Sequence, residues 1–253
     1  MTRKVSISAM MMYTLSNQTS TNCGLNCCQT NTLEPTAKST NTSVAVFSLS
    51  SLKERKRTLD TMSKPRPIVT QNKGSGVWID FWVICDSANC FLFFSDDNGH
   101  VYRAQTSLGS FPNGFGNTQI VLSDPNRFAL FEAGNVYKVA GRNQYLMIEE
   151  GIGSTGRRYF RSFTATSLTG SWTPLAATEN EPFAGRSNVT FPGGAWTQDI
   201  SHGEMVRDGV DQTLTIDPCR LRYVYQGQDP GASGDYIGLP WRMGLLTQTN
   251  SPC

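Results

Sequence analysis

Histidine is scarce in this sequence, with only His100 and His202 among 253 residues. A His-rich metal centre is therefore excluded. Cys23, Cys27 and Cys28 do not make a zinc finger, because no second pair or His follows at the required spacing. Long apolar runs are missing too. No stretch of 18 apolar residues occurs, so no membrane-spanning helix is expected. The start, Met1-Thr-Arg-Lys4 followed by Val5–Leu15, has the order of a secretion signal. Ser6, Ser8 and Thr14 interrupt it, and no clean small-residue cleavage site follows. No segment sustains a helical period.

Aromatic residues are nearly absent from one part of the chain. Tyr13 and Phe47 are the only two before residue 74, and 24 follow it. Aromatic side chains supply much of the area a core buries. Residues 1–73 also carry ten Lys/Arg against three Asp/Glu, whereas residues 74–253 carry twelve against seventeen. The expected division is a polar, basic and disordered segment over 1–76, or one translated from a mis-spliced gene, followed by a folded unit over 77–253. The run Lys53-Glu-Arg-Lys-Arg57 reads as solvated tail charge, with a nuclear-localisation or nucleic-acid patch as the alternative.

The texture changes at Val77. Val77–Ile84 and Phe91–Phe94 are apolar runs, and Asn98-Gly99 is a favoured hairpin dipeptide leading into Val101-Tyr-Arg103. The pattern recurs at Tyr145–Ile148, a Gly-rich turn over Gly151–Gly156, and Arg158–Phe163. Leu221–Tyr225 and Gly244–Thr247 form a weaker third instance. Thr106-Ser-Leu108 and Thr166-Ser-Leu168 echo one another, each followed by a Gly and an aromatic. Short strands with repeated Gly and aromatic marks predict an all-β fold of about three propeller-like blades, with a β-sandwich as the alternative.

Several residues are placed where chemistry is done. Asp80 interrupts an apolar strand, so it is either a strand-end carboxylate or one facing a central channel. Glu132, in Leu130-Phe-Glu-Ala133, repeats the situation; an apolar pocket would keep it protonated, as a general acid requires. His202 lies in Asp199-Ile-Ser-His-Gly-Glu204 and is read as structural or as a ligand. His100, in the Asn-Gly turn, is read as exposed and structural. Tyr236 and Trp241 either stack on sugar rings or close the last sheet. Cys85 and Cys90 flank a bend and are either bridged or reduced; Cys219 and Cys253 are far apart in sequence. Asn17-Gln-Thr19, Asn41-Thr-Ser43 and Asn188-Val-Thr190 are glycosylation sequons.

The stretches Ile79-Asp-Phe-Trp-Val-Ile-Cys-Asp86, Leu92-Phe-Phe-Ser-Asp-Asp-Asn-Gly99, Leu130-Phe-Glu-Ala133, Arg158-Tyr-Phe-Arg-Ser162, Ser171-Trp-Thr-Pro174, Pro182-Phe-Ala-Gly185, Asp199-Ile-Ser-His-Gly-Glu204, Thr215-Ile-Asp-Pro-Cys219 and Gly234-Asp-Tyr236 together resemble glycoside hydrolase family 62, from about Val77 to Asn250. The resemblance implies a secreted, five-bladed β-propeller α-L-arabinofuranosidase that removes arabinofuranosyl branches from arabinoxylan with inversion. It implies Glu132 as general acid and Asp80 as the carboxylate that tunes it and holds the sugar. It further implies Tyr236 in the substrate site, and His202 as a ligand to an axial ion, usually calcium. A monomer acting on arabinoxylan or its oligosaccharides, without nucleic acid or membrane, is the implied partner set.

One part of the pattern is missing. Inversion needs a base across a water from the acid, roughly 6.5–9.5 Å away. In the family that Asp belongs to the first blade, and nothing in residues 1–76 resembles the first two blades. The expectation is a chain lacking those blades, with a non-catalytic sugar-binding remnant as the alternative to a working enzyme. Cys219 is expected to have lost its disulfide partner with them.

Overall fold

The computed structural model describes residues 78–249 together with Ser251 and Cys253. The expected 1–76 segment, its basic run and its two sequons lie outside the described residues.

Alternating and fully apolar runs become strands where the hairpin signals predict. β1 (Ile79–Cys85), β2 (Asn89–Ser95), β3 (His100–Ser107) and β4 (Gln119–Ser123) form one antiparallel meander. β5 (Glu132–Lys138), β6 (Tyr145–Ile152), β7 (Arg158–Ala165) and β8 (Thr173–Ala176) form a second. β9 (Ser201–Met205), β10 (Arg222–Gln228) and β11 (Trp241–Thr247) form a third, in the order β11-β10-β9. Among the described residues the single helical element is the 3-10 turn Tyr236–Gly238. The all-β expectation holds. The two Thr-Ser-Leu echoes both fall at the end of a third strand, β3 and β7, so they mark a repeated meander. The Gly-rich turn starts later than expected, because β6 continues to Ile152.

The first strands of the sheets meet, β1 against β5 and β5 against β9. A continuous core crosses all three sheets and includes Trp82, Phe93, Tyr137, Met147, Phe160, Tyr223 and Leu246. Trp82 joins two sheets directly: its indole N–H donates to the Val136 carbonyl at 2.8 Å, and its ring meets Tyr137 edge-on. Buried donors require such partners.

Some expectations change and one open reading is settled. Cys219 is not left without a partner: it is bonded to Cys253, closing a span of 34 residues. Cys85 and Cys90 are also bridged. His100 is half-buried rather than exposed; it opens β3, with Nδ1 at 2.9 Å from the Ser123 hydroxyl of β4. Asn188 is buried, and its amide donates to the carbonyls of Pro182 and Phe183 while accepting from the Gly185 N–H. That sequon is a structural bracket.

Candidate active site

Each sheet delivers one polar residue from the opening of its first strand. Asp80 is the second residue of β1, Glu132 the first of β5 and His202 the second of β9. Two of these openings share a device. The register of β1 on β2 shifts between Ile79 and Trp82, and that of β5 on β6 between Glu132 and Asn135. Inside these bulges Asp80 has φ 54° and Ala133 has φ 56°, a left-handed conformation that is rare for residues other than glycine. Bulges re-aim side chains beside functional sites. Here they turn Asp80 and Glu132 toward one point.

The contacts there are dense. Asp80 Oδ2 accepts the Ala133 N–H at 2.8 Å and lies 3.1 Å from His202 Nε2. One guanidinium nitrogen of Arg158, the first residue of β7, donates to Glu132 Oε1 at 2.7 Å and Glu150 Oε1 at 2.6 Å. Glu150, on β6, is fully buried. It accepts the His202 N–H at 2.6 Å and the Ser201 hydroxyl at 3.2 Å. Asp199 in turn accepts the Arg158 N–H and an Arg157 guanidinium nitrogen, both at 3.0 Å. The Asp199-Ile-Ser-His motif thereby anchors the start of β7 as well as β9.

This arrangement pushes the acidities apart. Burial raises the Asp80 carboxyl, but the His202 hydrogen bond, with help from Ala133 and Arg158, holds it below the usual carboxylate range. Glu132 moves the other way, driven first by burial and then by the Glu150 charge, up to about 7. Arg158 does not prevent this, because its one nitrogen is shared with Glu150. Glu150 also accepts from Ser201 and His202, whereas Glu132 has only Arg158 among these donors, so Glu132 is the carboxyl pushed upward. Burial pulls the His202 imidazole down, yet Asp80 and Glu150 more than reverse this and hold it well above the ordinary histidine range.

Asp80, Glu132 and His202 offer ligand atoms that all lie within 4.8 Å of one another. His202 Nδ1 is buried without a hydrogen-bond partner, at 3.5 Å from Glu150 Oε2 and 3.9 Å from Glu132 Oε1. Calcium takes six to eight oxygen ligands. The cluster supplies only some of these, so an ion at His202 would keep much of its water.

Sequence reasoning therefore named three of the residues that meet here. Tyr236, the fourth, sits on the rim: it is 58% exposed, with Trp241 edge-on at 6.0 Å. Its hydroxyl feels the charges of Arg158, Glu132 and His202. Glu150 and Arg158 were given no role in the site by sequence reading. Their signal was present as a carboxylate pair, Glu149-Glu150, ending an apolar strand, and as an Arg opening an aromatic one.

The signature of glycosyl hydrolase family 62 matches residues 59–247. The chain belongs to that family. The match begins ahead of the Val77 boundary read from composition. This family 62 chain is 49% identical over 171 residues to alpha-L-arabinofuranosidase C of Cellvibrio japonicus (strain Ueda107), covering 66% of the chain and 27% of that protein. It is similar to the catalytic domain of a family 62 α-L-arabinofuranosidase from Coprinopsis cinerea, with 57% identity and a TM-score of 0.73. It is also similar to an α-L-arabinofuranosidase from Podospora anserina solved with cellotriose, with 49% identity and a TM-score of 0.71. In both cases 76% of this chain aligns with 63% of the solved one. The chain thus spans less than two thirds of these relatives.

Proposed function

We propose that this chain hydrolyses terminal α-L-arabinofuranosyl branches of arabinoxylan with inversion, in the breakdown of xylan outside the cell. The observation that carries the reading is the meeting of Asp80 and Glu132 from two sheets, with their acidities driven in opposite directions. Glu132 acts as general acid: a carboxyl with a pKa of about 7 holds the proton that the departing xylosyl oxygen needs. Asp80 stays ionised beside it, where it accepts a sugar hydroxyl and keeps Glu132 protonated by like charge. Tyr236 and Trp241 border the sugar. Arabinofuranosidase relatives in the same family, one of them with a bound oligosaccharide, support the substrate class. The three sheets are read as blades of a five-bladed propeller. The base that inversion requires would face Glu132 across a water, and it is assigned to no described residue.

An ion of the calcium type belongs to this reading; His202 would help hold it only after giving up its proton, which the ion would displace. Bound there it would supply fixed positive charge beside the carboxylates. Added calcium should raise Tm in the wild type and not in His202→Ala; an unchanged wild-type Tm removes the ion.

The test is release of free arabinose from wheat arabinoxylan by the purified 253-residue protein. Glu132→Gln should lower kcat by about 10²–10⁴-fold with a modest change in KM, the span associated with losing an acid catalyst. No release from a chain shown to be folded would overturn the enzymatic reading.

A further inference from the structure

Glu149 is a buried ionisable group that the chemistry above does not use. It sits on β6 beside Glu150 and is fully enclosed. Neighbours along a strand face opposite ways, and Glu150 turns to Arg158, Ser201 and His202 while Glu149 turns to Ser95. We propose that Ser95 and Glu149 are positioning residues whose hydrogen bond forms a strut behind the site and sets the separation of Asp80 and Glu132. The inference rests on the reading of those two as the working carboxylates.

The contacts close a ring. Ser95 Oγ donates to Glu149 Oε1 at 2.8 Å. Ser95 ends β2 and pairs with Ile79, the residue before Asp80. On its other side Glu149 lies against Gly134, inside the bulge that presents Glu132; a Cβ added at Gly134 would strike Glu149 Oε2. Next to Gly134, the Ala133 N–H donates to Asp80. The path Asp80, Ala133, Gly134, Glu149, Ser95, Ile79 therefore returns to Asp80. The Ala133–Asp80 bond is its front and the Ser95–Glu149 bond its back.

A space-filling role does not account for this pair. A hydrocarbon side chain would fill the same volume without burying a carboxyl, and Glu149 Oε2 has no hydrogen-bond partner. Burial pushes the Glu149 carboxyl well up, and Ser95 only partly offsets it. What a hydrogen bond adds over an apolar contact is a narrow range of distance and direction. That is the property needed between two sheets whose bulges must aim at one sugar.

Three variants of the full chain test the strut without touching Asp80, Glu132, Arg158 or His202. Ser95→Ala and Glu149→Asp cut it; Glu149→Gln keeps its length and an acceptor oxygen. The first readout is the Ala133 amide in an NMR spectrum, which reports its bond to Asp80 and needs no turnover. The second is kcat and KM for arabinose release. The cut variants should move the Ala133 amide upfield. They should also lower kcat by about tenfold or more with KM changed less than about twofold, since misplacing a group by about an ångström has effects of that order. Glu149→Gln should restore both. Cut variants that fold with a wild-type Ala133 amide and wild-type kcat overturn the proposal. If the wild type releases no arabinose, the assigned reaction fails, and the amide alone judges the strut.

Discussion

Glu149 has its carboxyl enclosed by protein, and after burial itself the nearby Asp80 charge adds negative potential. Its consequence for stability has a definite sign. In the unfolded chain it ionises near 4.5; in the folded chain it ionises far higher. Below 4.5 both states hold the proton and the folded state has its full stability. As pH rises above that value the unfolded chain gains a charge the folded one refuses, so stability falls across the window up to the folded pKa. Chemical denaturation at pH 5 and pH 8 should show the wild type losing stability relative to Glu149→Gln, whose side chain does not titrate. Parallel behaviour of the two proteins would show that Glu149 is ionised in the fold. At the same scale, Asp80 and Glu132 illustrate how environment separates two like groups: a histidine and a backbone N–H hold one down against its burial, and burial followed by a neighbouring carboxylate lifts the other.

Among the elements, β1 and β5 depend on Trp82. Replacing it with Phe removes the bond to the Val136 carbonyl and leaves that oxygen buried. Trp82→Phe should destabilise by about 1–3 kcal/mol from the unpaired carbonyl alone, read as a lower urea midpoint. Activity should fall with it, because Asp80 rides on the same strand. The strands that sequence reading found most clearly, β1, β2, β6 and β7, are the apolar ones, where period and turn signals agree, and β3, β10 and β11 were marked by shorter runs. The strands it did not mark are β5 and β9, with β4 and β8 at the sheet edges. β5 contains Gly134 and Asn135, and β9 reads Ser-His-Gly-Glu-Met. These first strands carry the site, so their polar residues hide the strand pattern. The site residues were legible for the opposite reason: a carboxylate inside an apolar run has few structural explanations. Ser95 and Gly134 were illegible, since a serine at a strand end and a glycine in a bulge look like ordinary punctuation until the sheets are assembled.

At the scale of the molecule, the fold is tied at its C-terminal end by the Cys219–Cys253 bridge. Closing a loop of that length typically stabilises by about 2–4 kcal/mol, through restriction of the unfolded chain. Replacing both cysteines with serine should lower Tm accordingly while leaving kcat within about twofold, because neither residue touches the carboxylates. A large loss of kcat at unchanged Tm would show that the bridge shapes the site itself. No one sheet holds the candidate active site. Asp80, Glu132 and His202 come from three, and Glu150 fastens the second to the third through Ser201 and His202. Assembly of the candidate site and tertiary assembly are therefore the same event in this chain.

The bracket at Asn188 has a bearing on how such a chain matures. A sugar tree attached to its amide nitrogen would displace the bonds to Pro182 and Phe183 and could not fit in the enclosed space. In a chain that followed the proposed extracellular route, a copy that folds first would hide this sequon from glycosylation. A copy glycosylated first is barred from closing the Pro182–Asn188 turn. The carbohydrate would then be a record of the order of events, marking the molecules whose folding came too late.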